Sequence, residues 1–172
     1  MYDIYLANDK SRCRFLLGKQ GKNMLLVIGL NPSTADQQRS DTTATKVETI
    51  ARHQGYDGFV MANLYPQRST DPKALPKRQA KEKSQQNIQV IQDAIKRWPI
   101  GAIWAAWGQN IQLRPYLLQN CAGIARALQN ESLHWSHYGS LSKQGHPRHP
   151  SRAAYGLAMN NFDIESYSRR NG

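Results

Sequence analysis

Several features are scarce in this chain, and each scarcity excludes a class of protein. Cys13 and Cys121 are its only cysteines, too few for a zinc site or an iron–sulfur cluster built on four cysteines. No apolar run approaches the roughly 20 residues of a membrane helix. Residues 1–5 lack the basic and apolar regions of a signal peptide. We therefore expect a soluble cytoplasmic protein with two free thiols in or near its core.

Acidic residues are also scarce. The 172 residues include 12 Asp and Glu against 23 Lys and Arg, which gives a net charge of +11. An excess this large in a small protein favours a polyanionic partner, nucleic acid first. A merely basic, well-solvated surface is the alternative explanation. If phosphates are the partner, the affinity should fall steeply with salt.

Repeats, low-complexity tracts and linkers are absent, so residues 1–172 form one domain in the simplest interpretation. Hydrophobic runs predict strands over residues 2–7, 12–18, 24–29, 59–64, 101–107 and 133–138. Periodic patterns predict helices over residues 42–54, 87–98, 113–128 and 152–159, and residues 65–83 predict a long loop. Alternating strands and helices favour parallel pairing with right-handed crossovers. We expect an α/β fold, a three-layer α/β/α sandwich on a central, mainly parallel four-stranded sheet, with antiparallel strands at the N-terminus.

Polar residues follow four of the predicted strands. Residues 29–36 read Gly-Leu-Asn-Pro-Ser-Thr-Ala-Asp directly after the apolar run 24–28. Asn63, Trp107-Gly108 and the run 149–151, His-Pro-Ser, are the other three sites. In open α/β sheets, ligands bind at the carboxyl ends of the strands. The four sites together therefore predict one composite pocket.

These four motifs, in this order, resemble those of the uracil-DNA glycosylase superfamily. Residues 29–32 resemble its Gly-x-Asp-Pro or Gly-x-Asn-Pro box, whose third residue positions water, and the Asn version is typical of the mismatch-specific uracil and thymine branch. Residues 60–63 resemble the strand whose terminal Asn reads the flipped base. Residues 103–108 resemble the strand that ends in Trp-Gly. Residues 149–151 resemble the start of the last motif, whose His stabilises the departing base and whose loop enters the minor groove.

A second, more extensive likeness is to an uncharacterised prokaryotic and phage family. Its members share Asn-Pro-Ser-Thr-Ala-Asp, then Asn-Leu-x-x-x-Arg-x-Thr-Asp-Pro, and later Gly-x-Pro-x-His-Pro. The corresponding residues here are 31–36, 63–72 and 145–150. Because this family includes phage members, the resemblance makes a modified phage base a possible substrate beside simple uracil. It leaves DNA repair and phage defence open as pathways.

The glycosylase resemblance implies a role for each polar residue. Asn31 would position water for attack on the sugar, since glycosidic cleavage passes through an oxocarbenium-like state; a turn and helix cap is the alternative. His149 would donate to the departing base, unless it is an ordinary surface histidine. Asp36 and Asp41 are further catalytic candidates, although helix capping suits both. The expected substrate-binding residues are Gly29, Pro32, Ser33, Asn63, Tyr65, Trp107, Gly108 and Ser151.

Asn63 is a candidate for reading the base, because its amide offers a donor and an acceptor, which suits the Watson–Crick edge of a pyrimidine. Tyr65 has a ring that can stack on a base, and Trp107 with Gly108 would form a pocket wall. Each has an ordinary structural alternative in a loop or a core. Basic residues would follow the DNA backbone, namely Arg68, Lys73, Lys77, Arg78, His146, Arg148 and Arg152.

Two His-x-x-His pairs, 134/137 and 146/149, raise the question of zinc. The first pair falls on a predicted strand, where residues three apart face opposite sides, so we expect no metal.

We therefore predict a monomeric DNA glycosylase without metal or cofactor, which flips a modified or mismatched base and hydrolyses its N-glycosidic bond. Fold and motif analogy carry that prediction. A non-catalytic nucleic-acid-binding module with a degenerate pocket is the first alternative. A hydrolase of free nucleosides or nucleotides is the second, and it should lack a steep salt dependence.

Overall fold

The protein is described here by a computed structural model of residues 1–172, which contains one mixed α/β unit. Its strands are β1 (Ile4–Ala7), β2 (Arg14–Lys19), β3 (Met24–Gly29), β4 (Gly58–Asn63), β5 (Ile100–Ala105), β6 (His134–Tyr138) and β7 (Met159–Asn161). Its helices are α1 (Thr42–His53), α2 (Lys81–Arg97), α3 (Pro115–Ala127) and α4 (Ile164–Asn171). Short 3₁₀ turns cover Pro72–Ala74, Gln109–Leu113 and Pro150–Arg152.

All seven strands join one sheet in the order β1-β2-β4-β3-β5-β6-β7. The four central strands, β4, β3, β5 and β6, run parallel. Antiparallel strands extend both edges, β1 and β2 on one side and β7 on the other. The α/β class is therefore confirmed, but the sheet is larger than the four-stranded sheet that we predicted.

Apolar side chains cover both faces of this sheet. Every residue of β3 and β4 is buried, as expected of strands that are covered on both sides. One face belongs to a cluster of 28 buried residues that includes residues of α2, α3 and α4. The other face belongs to a cluster of 15, in which α1 contributes Val47 and Ile50. Cys13 and Cys121 are free and buried, which confirms the prediction for the thiols.

The predicted last helix over residues 152–159 is wrong. Gly156 has a φ of +79°, which no residue of a right-handed helix adopts. Polar groups of the segment bond to β6 instead: Tyr138 Oη donates to the Ala154 carbonyl and accepts from the Leu157 backbone N–H. The chain then forms β7, and α4 follows at residues 164–171.

Two other boundaries differ from the expected ones. α2 begins at Lys81, six residues earlier than predicted, because the charged residues of its first turns lack the apolar periodicity that marks a helix. The loop that precedes it is correspondingly shorter and contains a 3₁₀ turn. No helix of the protein is long and apolar enough to cross a membrane.

The parallel strands bring the predicted motifs to one edge. Gly29 and Asn63 are direct register partners at the carboxyl ends of β3 and β4. β5 ends two residues before Trp107, beside β3. The loops after β3, β4, β5 and β6 therefore leave the sheet at the same side, and they enclose the site.

Candidate functional site

A cleft of about 810 Å³ lies at the carboxyl edge of the parallel strands. Residues that follow β3, β4, β5 and β6 all line it, so the four polar motifs of the sequence do meet. Of the residues predicted for the site, the cleft is lined by Gly29, Asn31, Ser33, Asp41, Asn63, Trp107, Gly108, Arg148, His149, Ser151 and Arg152. Charge in the cleft is mainly positive, with three arginines against one carboxylate, that of Asp41.

Asn31 presents an acceptor to the cleft. Its Nδ2 donates to the Pro32 carbonyl at 3.0 Å and to the Ser69 carbonyl at 2.9 Å. Two carbonyl partners fix which end of the amide is nitrogen. Oδ1 makes no hydrogen bond within the protein and stays accessible, so it can accept from water or a ligand hydroxyl.

Asn63 places its side-chain amide at the floor of the cleft. The residue is only 3% exposed, and its Nδ2 has no hydrogen-bond partner. Its backbone carbonyl accepts from Asn87 Nδ2 at 2.7 Å, which fixes the end of β4. Gly29 leaves the space for this side chain, since a Cβ on Gly29 would stand 2.7 Å from Asn63 Oδ1. A buried donor without a partner is costly, and a ligand acceptor would satisfy it.

His149 also lines the cleft and presents an N–H donor there. Its Nδ1 accepts from the Ser151 backbone N–H at 3.2 Å and lies 2.8 Å from Ser151 Oγ. Because a backbone N–H can only donate, the proton of the neutral ring lies on Nε2. Ser151, predicted to bind substrate, thus orients His149.

The surroundings of His149 keep the ring neutral. Burial lowers the pKa of His149 below its usual 6.5; Asp41 opposes that shift and Arg152 adds to it. Gly108 allows the close packing: its φ is +76°, and a Cβ there would stand 3.0 Å from the His149 Cβ. At neutral pH, His149 is therefore an uncharged donor beside a basic cleft wall.

Asp41 is committed to backbone groups. One carboxylate oxygen accepts from the Ala44 N–H at 2.8 Å and caps α1. The other accepts from the Ala35 N–H at 3.1 Å and ties down the loop after β3. Backbone N–H groups therefore engage both carboxylate oxygens. Its position supports a structural role together with an electrostatic one toward His149.

Asp36 and Tyr65 lie outside the cleft. Asp36 accepts from the backbone N–H groups of Gln38 and Arg39, which closes a surface turn and lowers the pKa of its carboxyl. Tyr65 is 1% exposed, and its Oη accepts from the Ala80 N–H. Its ring packs in the core and cannot stack on a base. Pro32, also predicted to bind substrate, is buried and does not line the cleft.

Arg68 is a structural residue rather than a phosphate contact. Its Nη1 donates to the Ser33 and Ala35 carbonyls, and its Nη2 donates to Tyr5 Oη. The guanidinium thereby clamps the loop that carries Asn31. The other basic residues of the long loop, Lys73, Lys77 and Arg78, are exposed and do not line the cleft.

His146 is buried as well, at 1% exposure. Tyr167 Oη accepts from Trp107 Nε1 at 3.1 Å and shares a hydrogen bond of 2.7 Å with His146 Nδ1. This chain of contacts joins α4 to the cleft wall at Trp107. His146 thus supports Trp107 and does not face phosphate.

Arg14 lines the cleft and was not predicted from the sequence. It is 2% exposed, forms no salt bridge, and uses one guanidinium nitrogen, Nη1, to donate to the Ala35 carbonyl at 2.9 Å. Burial, with Arg68 nearby, lowers the pKa of Arg14 to about 10, against an opposing effect of Asp41. The available signal was an arginine inside the apolar run 13–17, since buried arginines are rare without a partner.

The two His-x-x-His pairs do not form a metal site, and no cluster of three or more His, Cys, Asp or Glu side chains is placed to hold a metal ion. The cleft brings together the accessible acceptor of Asn31, the buried and unpartnered amide nitrogen of Asn63, and the Nε2–H of His149. Such a set can hold a water on one side of a ligand and stabilise negative charge on the other.

Comparison with known proteins gives a family and no activity. No curated protein and no solved structure matches the chain. One family model matches residues 14–151, a segment that contains every residue lining the cleft except Arg152. The chain belongs to that family, which is described as a protein of unknown function (DUF1643).

Proposed function

We propose that the protein is a DNA glycosylase that hydrolyses the N-glycosidic bond of a modified or mismatched base after flipping it into the cleft. The observation that carries the proposal is the meeting of Asn31, Asn63 and His149 in one cleft, each with a polar atom that no protein group uses. Their order along the chain matches the motif order of the uracil-DNA glycosylases. The finer fold assignment, a glycosylase-like α/β/α sandwich, belongs to the same proposal.

The reaction needs water on one face of the sugar and a stabilised leaving base on the other. Asn31 Oδ1 holds the water by accepting one of its hydrogens. The C1′–N bond breaks, and its electron pair leaves with the base. The water oxygen then bonds to C1′ and releases one proton to solvent, and the departed base anion takes up a proton from solvent. The products are an abasic site and a free base.

His149 acts on the leaving base. Its Nε2–H donates to the oxygen on which negative charge develops. A neutral histidine suits this role, because it stabilises the anion without giving up a proton. A preorganised donor of this kind contributes on the order of 3 kcal/mol to the transition state. Asn63 Nδ2 donates to the base edge and reads a keto oxygen there.

The charge of the chain suits DNA. Arg148 and Arg152 are exposed at the rim of the cleft, where the phosphates beside a flipped nucleotide would lie. The net charge of +11 would strengthen the encounter with DNA. In this proposal the protein works as a cytoplasmic monomer, and its residues supply the reaction without metal or cofactor.

A strand-break assay tests the proposal. Labelled duplexes and single strands would contain uracil, G·U and G·T mismatches, hypoxanthine, or modified and glucosylated cytosines, and abasic sites would be read as alkali-labile breaks. We expect one substrate to be cleaved and both Asn31→Ala and His149→Ala to lose at least 100-fold in rate, as expected for removal of about 3 kcal/mol. Asn130→Ala and His134→Ala are matched controls, because both residues are exposed and outside the cleft.

Other outcomes separate the alternatives. Salt-sensitive DNA binding without any break would favour a binding module with a degenerate pocket. Release of base from free nucleotides, with little dependence on salt, would favour a nucleotide hydrolase.

A further inference from the structure

The guanidinium of Arg14 has donors to spare at the floor of the cleft. An arginine offers five N–H donors, and the only hydrogen bond of this guanidinium runs from Nη1 to the Ala35 carbonyl. Nε is buried without a partner. Nε and Nη2 form the edge of a guanidinium that takes two oxygens of a carboxylate or phosphate at once.

Other arginines of the protein show how a purely structural guanidinium is used here. Arg68 donates to two carbonyls and a tyrosine hydroxyl. Arg114 donates through Nε, Nη1 and Nη2 to the carbonyls of residues 73, 75, 76 and 113. Neither lines the cleft. Arg14 differs in both respects, since it lines the cleft and leaves most of its donors unused.

The position of Arg14 points the same way. It begins β2, which pairs with β4, the strand that ends at Asn63. Arg14 and Asn63 therefore come from neighbouring strands and line the same cleft. The unpartnered atom of Asn63, Nδ2, is also a donor. Unpartnered donors from two neighbouring strands of one cleft call for a ligand with oxygen acceptors.

The charges around Arg14 leave its cation without an ion pair. Arg68 is a second cation near Arg14, and Asp41 is the carboxylate of the cleft. None of the salt bridges of the protein includes Arg14 or Asp41. Asp41 directs its oxygens to backbone N–H groups instead. Asp36 faces Arg68 and Arg39 from the surface turn. A buried cation without an ion pair is costly, and an anionic ligand group would repay that cost.

We propose that Arg14 binds an anionic oxygen group of the ligand, a phosphate or a carboxylate, at the floor of the cleft beside Asn63. The inference rests on the cleft being the ligand site of the proposed function, but not on cleavage of a glycosidic bond. The anionic group has two sources: the phosphate of a nucleotide, or an acidic substituent on the base itself.

Calorimetric titration at fixed ionic strength tests the inference with three probes. These are 2′-deoxyuridine, which is neutral, its 5′-monophosphate, and 5-carboxy-2′-deoxyuridine. We expect at least one of the two anions to bind the wild-type protein about tenfold or more tighter than the neutral nucleoside. The anion that does so identifies the source. Arg14→Gln should bring the ratio of affinities close to one.

Arg126→Gln is the matched control, because it removes one positive charge from an exposed position on α3. It should keep the wild-type ratio. The inference is overturned if neither anion binds the wild-type protein more tightly than the nucleoside at millimolar concentration, or if Arg14→Gln keeps the preference. If Arg14→Gln does not fold, Arg14→Lys decides, because it keeps the charge and loses the fork; an unchanged affinity for the anion would then overturn the inference.

These results are independent of the strand-break assay. Preference for an anion that depends on Arg14, without any abasic sites, would retain the inference and remove the glycosylase. Abasic sites without such a preference would retain the glycosylase and remove the inference about Arg14.

Discussion

The amide of Asn63 lies directly over Gly29, so close that a Cβ on Gly29 would stand 2.7 Å from Asn63 Oδ1. The two residues are register partners at the ends of neighbouring parallel strands. The absence of a side chain at Gly29 thus creates the space in which Asn63 faces the cleft. Gly29, the glycine of the Gly-x-Asn-Pro box, is therefore needed to make room for Asn63 on the neighbouring strand.

A methyl group at Gly29 should therefore damage binding more than stability. In Gly29→Ala, the new Cβ meets the far end of a side chain and not the backbone, so the Asn63 amide can turn away. We expect a loss of less than about 1 kcal/mol in the free energy of unfolding. The affinity of the cleft for its ligand should fall at least about tenfold, since a misplaced donor forfeits its hydrogen bond.

Urea unfolding and calorimetric titration on the same preparation would separate the two effects. Gly123→Ala on α3 is the control, since its Cβ would meet only Ile88 Cδ1 at 3.4 Å. A Gly29→Ala variant that binds as tightly as the wild type would show that Asn63 does not read the ligand.

The second prediction concerns Asn31→Asp, and it runs against the analogy with glycosylases that carry Asp in this box. Some glycosylases that share the box carry Asp at this position, so Asn31→Asp suggests a faster enzyme. Here Nδ2 donates to the carbonyls of Pro32 and Ser69. A carboxylate would place oxygen against both carbonyls, with neither hydrogen bond retained. We expect Asn31→Asp to lose about 1–3 kcal/mol of stability and not to gain activity.

Thermal unfolding and single-turnover rates, with Asn31→Ala alongside, would check this. Asn31→Ala also removes both hydrogen bonds but brings no repulsion, so it should be the more stable variant of the two. A faster and equally stable Asn31→Asp would contradict the observed orientation of the amide.

How much of this site could be foreseen depends on the kind of residue. The positions of Asn31 and Asn63 at the ends of β3 and β4 follow from apolar runs and turn residues. His149 lies in the loop after β6, and its motif predicts that it joins them. Tyr65 and His146 look equally suitable in one dimension. Their burial depends on helices that follow them in the chain and fold back over them, α2 over Tyr65 and α4 over His146.

The same limit applies to elements. β7 has three residues and acquires its identity from pairing with β6, so no local pattern announces it. Arg68 was chosen for its charge, yet the carbonyls that it meets belong to a loop more than 30 residues away. Arg14 shows the converse: it stands in the apolar run 13–17, which reads as core, and nothing in that run indicates that the strand borders a cleft.

Packing of Gly108 against His149 gives a third prediction. Gly108 and Gly55 both have a positive φ, +76° and +89°, but only Gly108 has a neighbour within 4 Å of its Cβ position. Alanine at either residue costs about 1–2 kcal/mol of backbone strain. Only Gly108→Ala should also displace His149, and so reduce the proposed activity. Unfolding free energies and rates for the two variants would make the comparison, and equal rates would show that His149 tolerates the shift.

The histidines make stability depend on pH. Burial lowers the pKa values of His137, His146 and His149 below 6.5. Below pH 6.5 the unfolded chain takes up protons that the folded protein refuses, so the free energy of unfolding falls as the pH falls. It should be constant between pH 7 and 8. Urea titrations at pH 5, 6, 7 and 8 would show the trend, and a stability that rises toward pH 5 would contradict the buried, neutral histidines.

The proposed activity should follow the same direction, because protonated His149 loses the hydrogen bond from the Ser151 N–H to Nδ1. Single-turnover rates should drop on the acid side of pH 6.5 and stay level above it. Ser151→Ala keeps the backbone N–H and removes Oγ, so a smaller effect on the rate than that of His149→Ala is expected.

Removal of the Arg14 charge supplies the last prediction. A residue kept for stability should be costly to lose, whereas a residue kept for a ligand can be a burden to the free protein. Arg14 is buried without an ion pair, and Arg68 adds a like charge. Arg14→Met introduces a side chain of similar length. It removes one hydrogen bond, to the Ala35 carbonyl, together with the buried charge. We expect the free energy of unfolding to stay within about 1 kcal/mol of the wild-type value, or to rise.

Arg68→Met is the contrasting variant, since that guanidinium satisfies two carbonyls and a tyrosine hydroxyl. Its loss removes the donor to the Ser33 carbonyl and to Tyr5 Oη, while Arg14 still donates to the Ala35 carbonyl. It should lower the free energy of unfolding by about 2 kcal/mol or more. Urea unfolding of both variants at pH 7 gives the comparison. If Arg14→Met falls as far as Arg68→Met, Arg14 is part of the scaffold of the loop, and its unused donors need no ligand to explain them. If it stays near the wild type while the preference for an anion disappears, the protein carries a buried charge whose benefit appears only when the cleft is filled.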